Sequence, residues 1–212
     1  MNHSLNLLGQ HLILSPQKAA YWQEESMLLI ADVHFGKISH FRKHGHALPQ
    51  EAMWENVRLL DELMHRFEPQ TVCFLGDLFH SDYNSEWKLF AQWCGRQMAQ
   101  MVLIEGNHDI MHPDVYAKIG MEVRDAWEIG PFRLTHHPEE TVDHLNLCGH
   151  IHPAVRLTGL GRQALTLPCF FLSKRQMVMP AFGTFTGLHL MQPAEGDRAF
   201  VVADGQIAEI VA

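Results

Sequence analysis

The sequence predicts an α/β sandwich of two mixed β-sheets flanked by helices. Short apolar runs with strand character recur along the chain, and amphipathic helical patterns separate the early runs. After about residue 121 the helical patterns stop, and short strands separated by turns follow. Alternating strands and helices are typical of a largely parallel sheet, whereas short strands and turns are typical of hairpins. We therefore expect the two halves to build two different sheets.

The predicted strands share one feature: each is four or five residues long and ends at a cluster of Asp, Gly, Asn or His. They are Met27–Ala31, Thr71–Leu75, Met101–Ile104, Phe132–Thr135 and Leu145–Cys148. Two dipeptides, Gly130-Pro131 and Asp204-Gly205, are typical of hairpin turns, the second lying between AFVVA and QIAEIV.

Three helices are predicted between Met53 and Gly120. The first carries an amphipathic stripe at spacings of three and four, formed by Met53, Val57, Leu60, Met64 and Phe67. Ser85 is a suitable N-cap for a second helix, which would turn inward Leu89, Phe90, Trp93 and Met98. Gly120 would end a short third helix that begins near Pro113.

Composition bounds the class of protein. The 212 residues contain no repeat or linker-like stretch, so we expect a single domain spanning residues 1–212. No apolar run reaches the roughly 18 residues of a membrane span, the N-terminus does not resemble a signal peptide, and the four cysteines form no CxxC pair. A cytoplasmic protein without disulfides fits best. The net charge of −8 argues against a surface that binds nucleic acid everywhere, although a local basic patch remains compatible with it.

Histidine is unusually abundant, with 16 residues, and several histidines fall in the clusters that follow the strands. The clusters are Asp32-Val33-His34, Gly76-Asp77, Gly106-Asn107-His108-Asp109, His136-His137 and Gly149-His150-Ile151-His152. Each alone is more often a turn or a cap than a set of metal ligands. Functional groups in α/β sheets lie where strands end, so five ordered clusters can converge. Carboxylate and amide oxygens mixed with imidazoles suit Mn, Fe, Zn or related ions, and they differ from the thiolate-rich ligands of a structural zinc site.

The ordered motifs DVH, GDLFH, GNHD, THH and GHIHP closely resemble those of the calcineurin-like metallophosphoesterases, over roughly residues 27–155. The resemblance implies a two-sheet sandwich with two divalent metal ions, Mn first among the candidates and Fe or Zn as alternatives. It implies one ion held by Asp32, His34 and His152, the other by Asn107, His136 and His150, with Asp77 bridging both. His108 would act beside the substrate and Asp109 would orient it. At the fourth cluster the ligand is His136, which directly follows the strand, with His137 as the alternative.

A narrower resemblance joins ADVHFGKISHFRKHGHALP, FLGDLFHS and PAFGTFTG to the bacterial PdeM group, the ligase-associated DNA damage response phosphoesterases. It implies a phosphodiesterase or nuclease acting on single- or double-stranded DNA in repair, in association with DNA ligase or helicase proteins. Three basic residues that follow the DVH turn could bind the phosphate backbone or could simply form a solvated helix face: Lys37, Arg42 and Lys43.

The expected reaction is direct attack on the phosphorus by metal-bound hydroxide, since two cations lower the pKa of a bound water. Two alternatives stay open. One is hydrolysis of a small nucleotide or a lipid-linked pyrophosphate at the same site. The other is a non-catalytic adaptor, which the full set of candidate ligands and the presence of His108 argue against.

Overall fold

The computed structural model of the protein describes residues 1–37, 51–80, 85–159, 161, 163–184 and 186–211. The helices are α1 (Glu51–Phe67), α2 (Ser85–Cys94) and α3 (Pro113–Ala117). The first sheet contains β1 (His3–Leu7), β2 (Gln10–Ser15), β3 (Ala19–Trp22), β4 (Met27–Ile30), β5 (Thr71–Leu75), β6 (Gln100–Ile104) and β7 (Met121–Arg124). The second contains β8 (Trp127–Ile129), β9 (Phe132–Leu134), β10 (Leu145–Cys148), β11 (Pro153–Thr158), β12 (Ala164–Leu172), β13 (Gln176–Val178), β14 (His189–Leu190), β15 (Arg198–Ala203) and β16 (Gln206–Val211).

The predicted sandwich of two mixed sheets is confirmed. In the first sheet the seven strands follow chain order, and β4 to β7 are parallel, as the alternation of strand and helix predicted. The antiparallel strands β1 to β3, which precede them, were not predicted from the sequence. Exposed positions weaken the apolar signal in β1 and at the start of β2, whereas β3 is largely buried and its short apolar run was overlooked.

The second sheet is also mixed. Its strand order is β14-β11-β12-β13-β10-β9-β8, and β15 pairs with β12 and with β16. Strand β10 lies between β9 and β13 and is parallel to both. Both predicted hairpin turns are confirmed: Gly130 and Pro131 join β8 to β9, and Asp204 and Gly205 join β15 to β16. Asp204 and Gly205 both have positive φ, as the tight primed turns of hairpins require.

The central strands β4 and β5 of the first sheet are almost wholly apolar because they are buried on both faces. In β4, Leu29 packs between the two sheets, whereas Leu28 and Ile30 pack against the helices. In β5, Cys73 faces the second sheet and Phe74 faces the helices. This alternation follows from the two-residue period of a strand, and it explains why no polar residue interrupts these runs.

The helices of the described chain pack on the outer face of the first sheet. Trp87, Phe90 and Trp93 of α2 join the same apolar cluster as Leu60 and Leu63 of α1. The prediction that Met98 also points inward was wrong: α2 ends at Cys94, and Met98 is fully exposed beyond it. None of the helices in the described residues is long and apolar enough to cross a membrane.

The core between the sheets gives the first testable expectation. Phe170 of β12 is 0% exposed and packs between the sheets, while Leu165 of the same strand is 59% exposed. Phe170→Ala should therefore lower the free energy of unfolding by about 3–5 kcal/mol. Leu165→Ala should lower it by about 0.5 kcal/mol or less. Urea unfolding followed by tryptophan fluorescence measures both, and equal losses would contradict the packing described.

Candidate metal centre

The polar clusters that follow the strands meet at one end of the sandwich. Strands β4, β5 and β6 are adjacent and parallel, so their carboxyl ends share an edge, and β9 and β10 deliver their ends to the same place. Asp32 and Asp77 are almost completely buried there, 0% and 2% exposed. The backbone amide of His150 donates to Asp32 Oδ2 (2.9 Å), which ties the second sheet to the first. The amide of His108 donates to Asp77 Oδ1 (2.9 Å).

The imidazole of His136 has a defined tautomer. Its Nδ1 lies 3.0 Å from the carbonyl oxygen of Leu75, which can only accept, so Nδ1 carries the proton and Nε2 presents a lone pair. That Nε2 faces Asn107 Oδ1 at 3.0 Å and Asp77 Oδ1 at 3.3 Å, two further acceptors. In the neutral ring, three lone pairs therefore point at one another, and a metal ion placed among them would satisfy all three.

The same arrangement recurs at His152. Its Nδ1 lies 3.1 Å from the carbonyl oxygen of Gly187, so its Nε2 is unprotonated in the neutral ring. Nε2 faces Asp32 Oδ1 at 3.5 Å and His34 Nε2 at 3.3 Å. Burial, reinforced by the charge of Lys37, lowers the pKa of His34 to about 2, so this ring is neutral and able to bind a metal.

These contacts are reconciled by cations. Lone pairs of imidazole, amide and carboxylate groups that face each other at 3.0–3.5 Å repel unless a positive ion lies between them. Two groups with ligand atoms close enough to share one ion are Asp32–His34–His152 and Asp32–Asp77–His136. Neutral imidazoles and hard oxygens are the donors that first-row divalent metals accept. The residues present thus fit divalent metal ions.

The backbone is strained where the candidate ligands lie. Positive φ angles between 50° and 68° occur at Asp32, His34, Asp77, His150 and His152. Residues with a Cβ pay roughly 1–2 kcal/mol each for this left-handed conformation. Backbone bonds such as His34 N to Asp77 O (2.9 Å) hold the turns in place. The strain is concentrated at the candidate centre, as is common at functional sites.

Two glycines allow the chain to approach the candidate ligands. A Cβ on Gly76 would come within 2.2 Å of His136 Nδ1, and one on Gly149 within 2.6 Å of Asp32 Oδ2. Gly76 also has a φ of +81°. A side chain at either position would displace a buried ligand candidate, so glycine is required there.

Asp109 holds the loop that carries Asn107 and His108. Its carboxylate is buried and accepts hydrogen bonds from the amides of Phe79 (3.0 Å) and Gly106 (2.9 Å). Burial raises its pKa to about 6, against the opposing effect of these two amides. These contacts fix the loop backbone, whereas the orientation of the His108 ring by Asp109 stays a prediction.

Supporting residues that the sequence did not reveal surround the site. Asn56, buried in α1, donates to the carbonyl oxygen of Val33 (3.2 Å), between two candidate ligands. Glu86, buried in the first turn of α2, accepts from the amide of Gly36 (2.7 Å). Buried polar residues on the inner faces of helices are the signal that could have identified them, because such residues need a defined partner.

The loop after residue 182 also helps to hold the candidate ligands Asp32 and His152 in place. The amide of Gly183 donates to the carbonyl oxygen of Asp32 (3.1 Å), and Gly187 O fixes the tautomer of His152. The Lys18 ammonium and the Thr186 hydroxyl both donate to Gly183 O, each at 3.2 Å. The sequence PAFGTFTG contributed to the family resemblance without a role in the site being assigned to it.

The predicted substrate contacts are described only in part. Lys37 is half-buried and lines a small cavity with His34 and Asn56. Burial lowers its pKa, while the charge of Asp77 opposes this effect. Arg42 and Lys43 lie outside the described residues.

Comparison with known proteins decides the family. Residues 26–175 match the sequence profile described as Calcineurin-like phosphoesterase. The chain belongs to the calcineurin-like phosphoesterase family. The resemblance found in the motifs is confirmed, and this calcineurin-like protein is a metal-dependent phosphoesterase.

Solved structures of relatives extend the comparison. The nuclease MPE of Pseudomonas putida is 31% identical, with a TM-score of 0.84, and the match covers 99% of this chain and 100% of that one. The phosphoesterase YfcE from E. coli is 16% identical with a TM-score of 0.45, and the match covers 87% of this chain and 98% of that one. Among curated proteins, none matches the sequence at a significant level. The full-length match to the nuclease is consistent with the resemblance to the PdeM group.

The contacts of Asp109 yield a second expectation. Asp109→Ala leaves the buried amide of Phe79 and the half-buried amide of Gly106 without an acceptor, so the free energy of unfolding of the metal-free enzyme should fall by about 2–4 kcal/mol. Tyr116→Phe removes only the longer hydroxyl bond to Asp109 (3.4 Å), and the loss should be about 1 kcal/mol or less. Urea unfolding in the presence of a chelator compares them. If Tyr116→Phe lowers the free energy of unfolding as much as Asp109→Ala does, the hydrogen bonds from the backbone amides to Asp109 are not the main stabilising contacts.

Proposed function

We propose that this phosphoesterase is a two-metal phosphodiesterase that hydrolyses DNA. The observation that carries the two-metal assignment is the position of Asp77, whose two oxygens face different histidines. Oδ1 lies 3.3 Å from His136 Nε2, and Oδ2 lies 3.9 Å from His34 Nε2. A carboxylate placed in this way can bridge two ions. One ion is assigned to Asp32, His34 and His152, and the other to Asn107, His136 and His150.

The ions, when bound, would neutralise the non-bridging phosphate oxygens and lower the pKa of the attacking water. The residues of the chain perform the remaining tasks. The hydrogen bond from the backbone amide of His108 to Asp77 holds His108 at the same edge of the sheet. The ring centroid of His108 lies 5.7 Å from that of His34. From this position it would donate a hydrogen bond or a proton to the leaving oxygen. No covalent nucleophile is needed in this scheme.

The DNA substrate is supported by the relative that is named a nuclease and by the basic residues after the DVH turn. The net charge of −8 favours local over extended contact with the phosphate backbone. By the same resemblance we assign manganese as the metal, repair as the role, DNA ligase or helicase proteins as partners, and the cytoplasm as the location. The whole chain would act as one catalytic domain.

Metal content tests the bridging role of Asp77. Asp77→Ala should lose both ions, because each ion is proposed to depend on it, whereas Asp32→Ala and Asn107→Ala should each lose one at most. Elemental analysis of protein loaded with Mn and desalted measures the ratio of metal to chain. Asp125→Ala, which removes an exposed carboxylate, is the matched control and should retain both ions.

Two results would change this assignment. If Asp77→Ala retains two ions, the bridging role is wrong. His108→Ala should keep both ions yet lower the rate by roughly 100- to 10,000-fold, the usual effect of losing an acid–base group. Loss of metal in His108→Ala would instead make His108 a ligand.

Substrate preference tests the DNA assignment. With Mn supplied, the enzyme should cleave single-stranded or duplex DNA and a small chromogenic diester faster than a small monoester. Neutralising Lys37, Arg42 and Lys43 together should raise KM for DNA and flatten its salt dependence, because fewer phosphate charges are then neutralised. Turnover of the small diester, which cannot reach these residues, should change little.

A control variant separates local from general charge effects. Three exposed basic residues elsewhere can be neutralised together without a predicted effect on DNA kinetics: Lys88, Arg96 and Lys118. If the two triple variants change KM for DNA and its salt dependence equally, the proposed local contact between these basic residues and DNA is wrong. Activity confined to monoesters, or to nucleotides and lipid-linked pyrophosphates, would replace DNA as the substrate.

A further inference from the structure

A third group of side chains adjoins the candidate centre, and one of its members has no place in the two-metal assignment. One ring nitrogen from each of His136, His137 and His150 lies within 4.8 Å of the others. The ring centroids of His137 and His150 are 4.1 Å apart, and those of His136 and His137 are 4.7 Å apart. His136 is buried, whereas His137 is exposed to solvent.

We propose that His136, His137 and His150 form an alternative zinc site that takes the place of the second ion and inhibits the enzyme. The inference rests on the proposed function, since His136 and His150 are the residues assigned there to the second ion. His137 is the residue that distinguishes the two sites.

The spacing of the histidine pair fits a zinc ion, as it also fits the second ion of the two-metal assignment. Two nitrogens bound at 2.0–2.1 Å with tetrahedral angles lie about 3.3 Å apart. His136 Nε2 and His150 Nδ1 are 3.2 Å apart. Nε2 of His136 is the unprotonated nitrogen, because Nδ1 donates to Leu75 O. His137 is exposed, so rotation of its side chain can bring its nitrogen into the third position while water occupies the fourth.

The two ligand sets differ in chemistry. In the two-metal assignment the ion on His136 and His150 also takes oxygen from Asp77 and Asn107, and oxygen ligands suit manganese and magnesium. With His137 as the third ligand the ion is held by three imidazoles, a set that suits zinc. An ion that takes His137 as its third ligand would exchange the oxygen of Asp77 for this imidazole. The bridged pair that hydrolysis requires would then be broken.

Zinc binding to the metal-free full-length enzyme tests the proposal independently of activity. Calorimetric titration with zinc, and the visible spectrum of the cobalt-substituted protein, are compared for the unaltered enzyme, His137→Ala and His137→Gln. Both variants should bind zinc at this position at least about ten-fold more weakly. They should also lose the absorption of the three-imidazole cobalt site. His65→Ala, which removes an exposed histidine from the last turn of α1, is the matched control and should change neither measurement.

Activity with manganese completes the test. Zinc should inhibit the unaltered enzyme, and at least about ten-fold more zinc should be needed to inhibit either His137 variant. Manganese affinity and turnover without zinc should be unchanged. Unchanged zinc affinity and cobalt spectrum in both variants would overturn the zinc site. Loss of manganese and turnover would make His137 a ligand of the working centre and overturn it as well. If zinc binding depends on His137 but no diester is cleaved, the zinc site stands and the proposed function fails.

Discussion

The structure depends on how the facing lone pairs of carboxylate, amide and imidazole groups are compensated. These groups meet at the end of the sandwich where five strands stop. The carboxyl groups of Asp32 and Asp77 are buried, and burying a charge is costly unless an opposite charge or several donors compensate it. The amides of His150 and His108 compensate part of the charge. Cations would supply the rest. Metal binding should therefore stabilise the folded chain as well as enable catalysis, since the strained left-handed turns form the site only when the chain is folded.

The sequence predicted much of this arrangement because the central strands are buried on both faces. Continuous apolar runs such as β4 and β5 are easily recognised, and the polar residue that follows each run marks the edge of the sheet. The parallel order of β4 to β6 then follows from the helices between them. Strands β1 and β2 escaped prediction because exposed positions interrupt or delay their apolar runs, whereas the largely buried run of β3 was overlooked.

The supporting residues could not be predicted from the same patterns. Asn56 interrupts the apolar face of α1 and would ordinarily be taken for a tolerated polar residue, yet its amide bonds the backbone between two candidate ligands. Lys18 lies in a turn, and its ammonium reaches Gly183, 165 positions later in the chain. Such contacts depend on how distant segments of the chain pack together. Neither the hydrophobic period nor the spacing of motifs along the sequence carries that information. The sequence therefore revealed the candidate ligands but not the groups that hold them.

The adjacent pair His136 and His137 shows the limit of arguments from order along the chain. Consecutive residues of an extended strand point to opposite faces, so only one would reach the centre if β9 continued. The strand stops at Leu134, and the Thr135 hydroxyl donates to the carbonyl oxygen of His137 (2.6 Å), which bends the chain. Both rings then contact His150. Burial and the hydrogen bond to the Leu75 carbonyl oxygen hold His136 in place at the candidate centre, whereas His137 is exposed to solvent. An ion at His136 and His150 could thus take its further ligands from the oxygens of Asp77 and Asn107 or from His137. In the proposed scheme the ion's own preference for oxygen or imidazole decides between them, because the fold presents both.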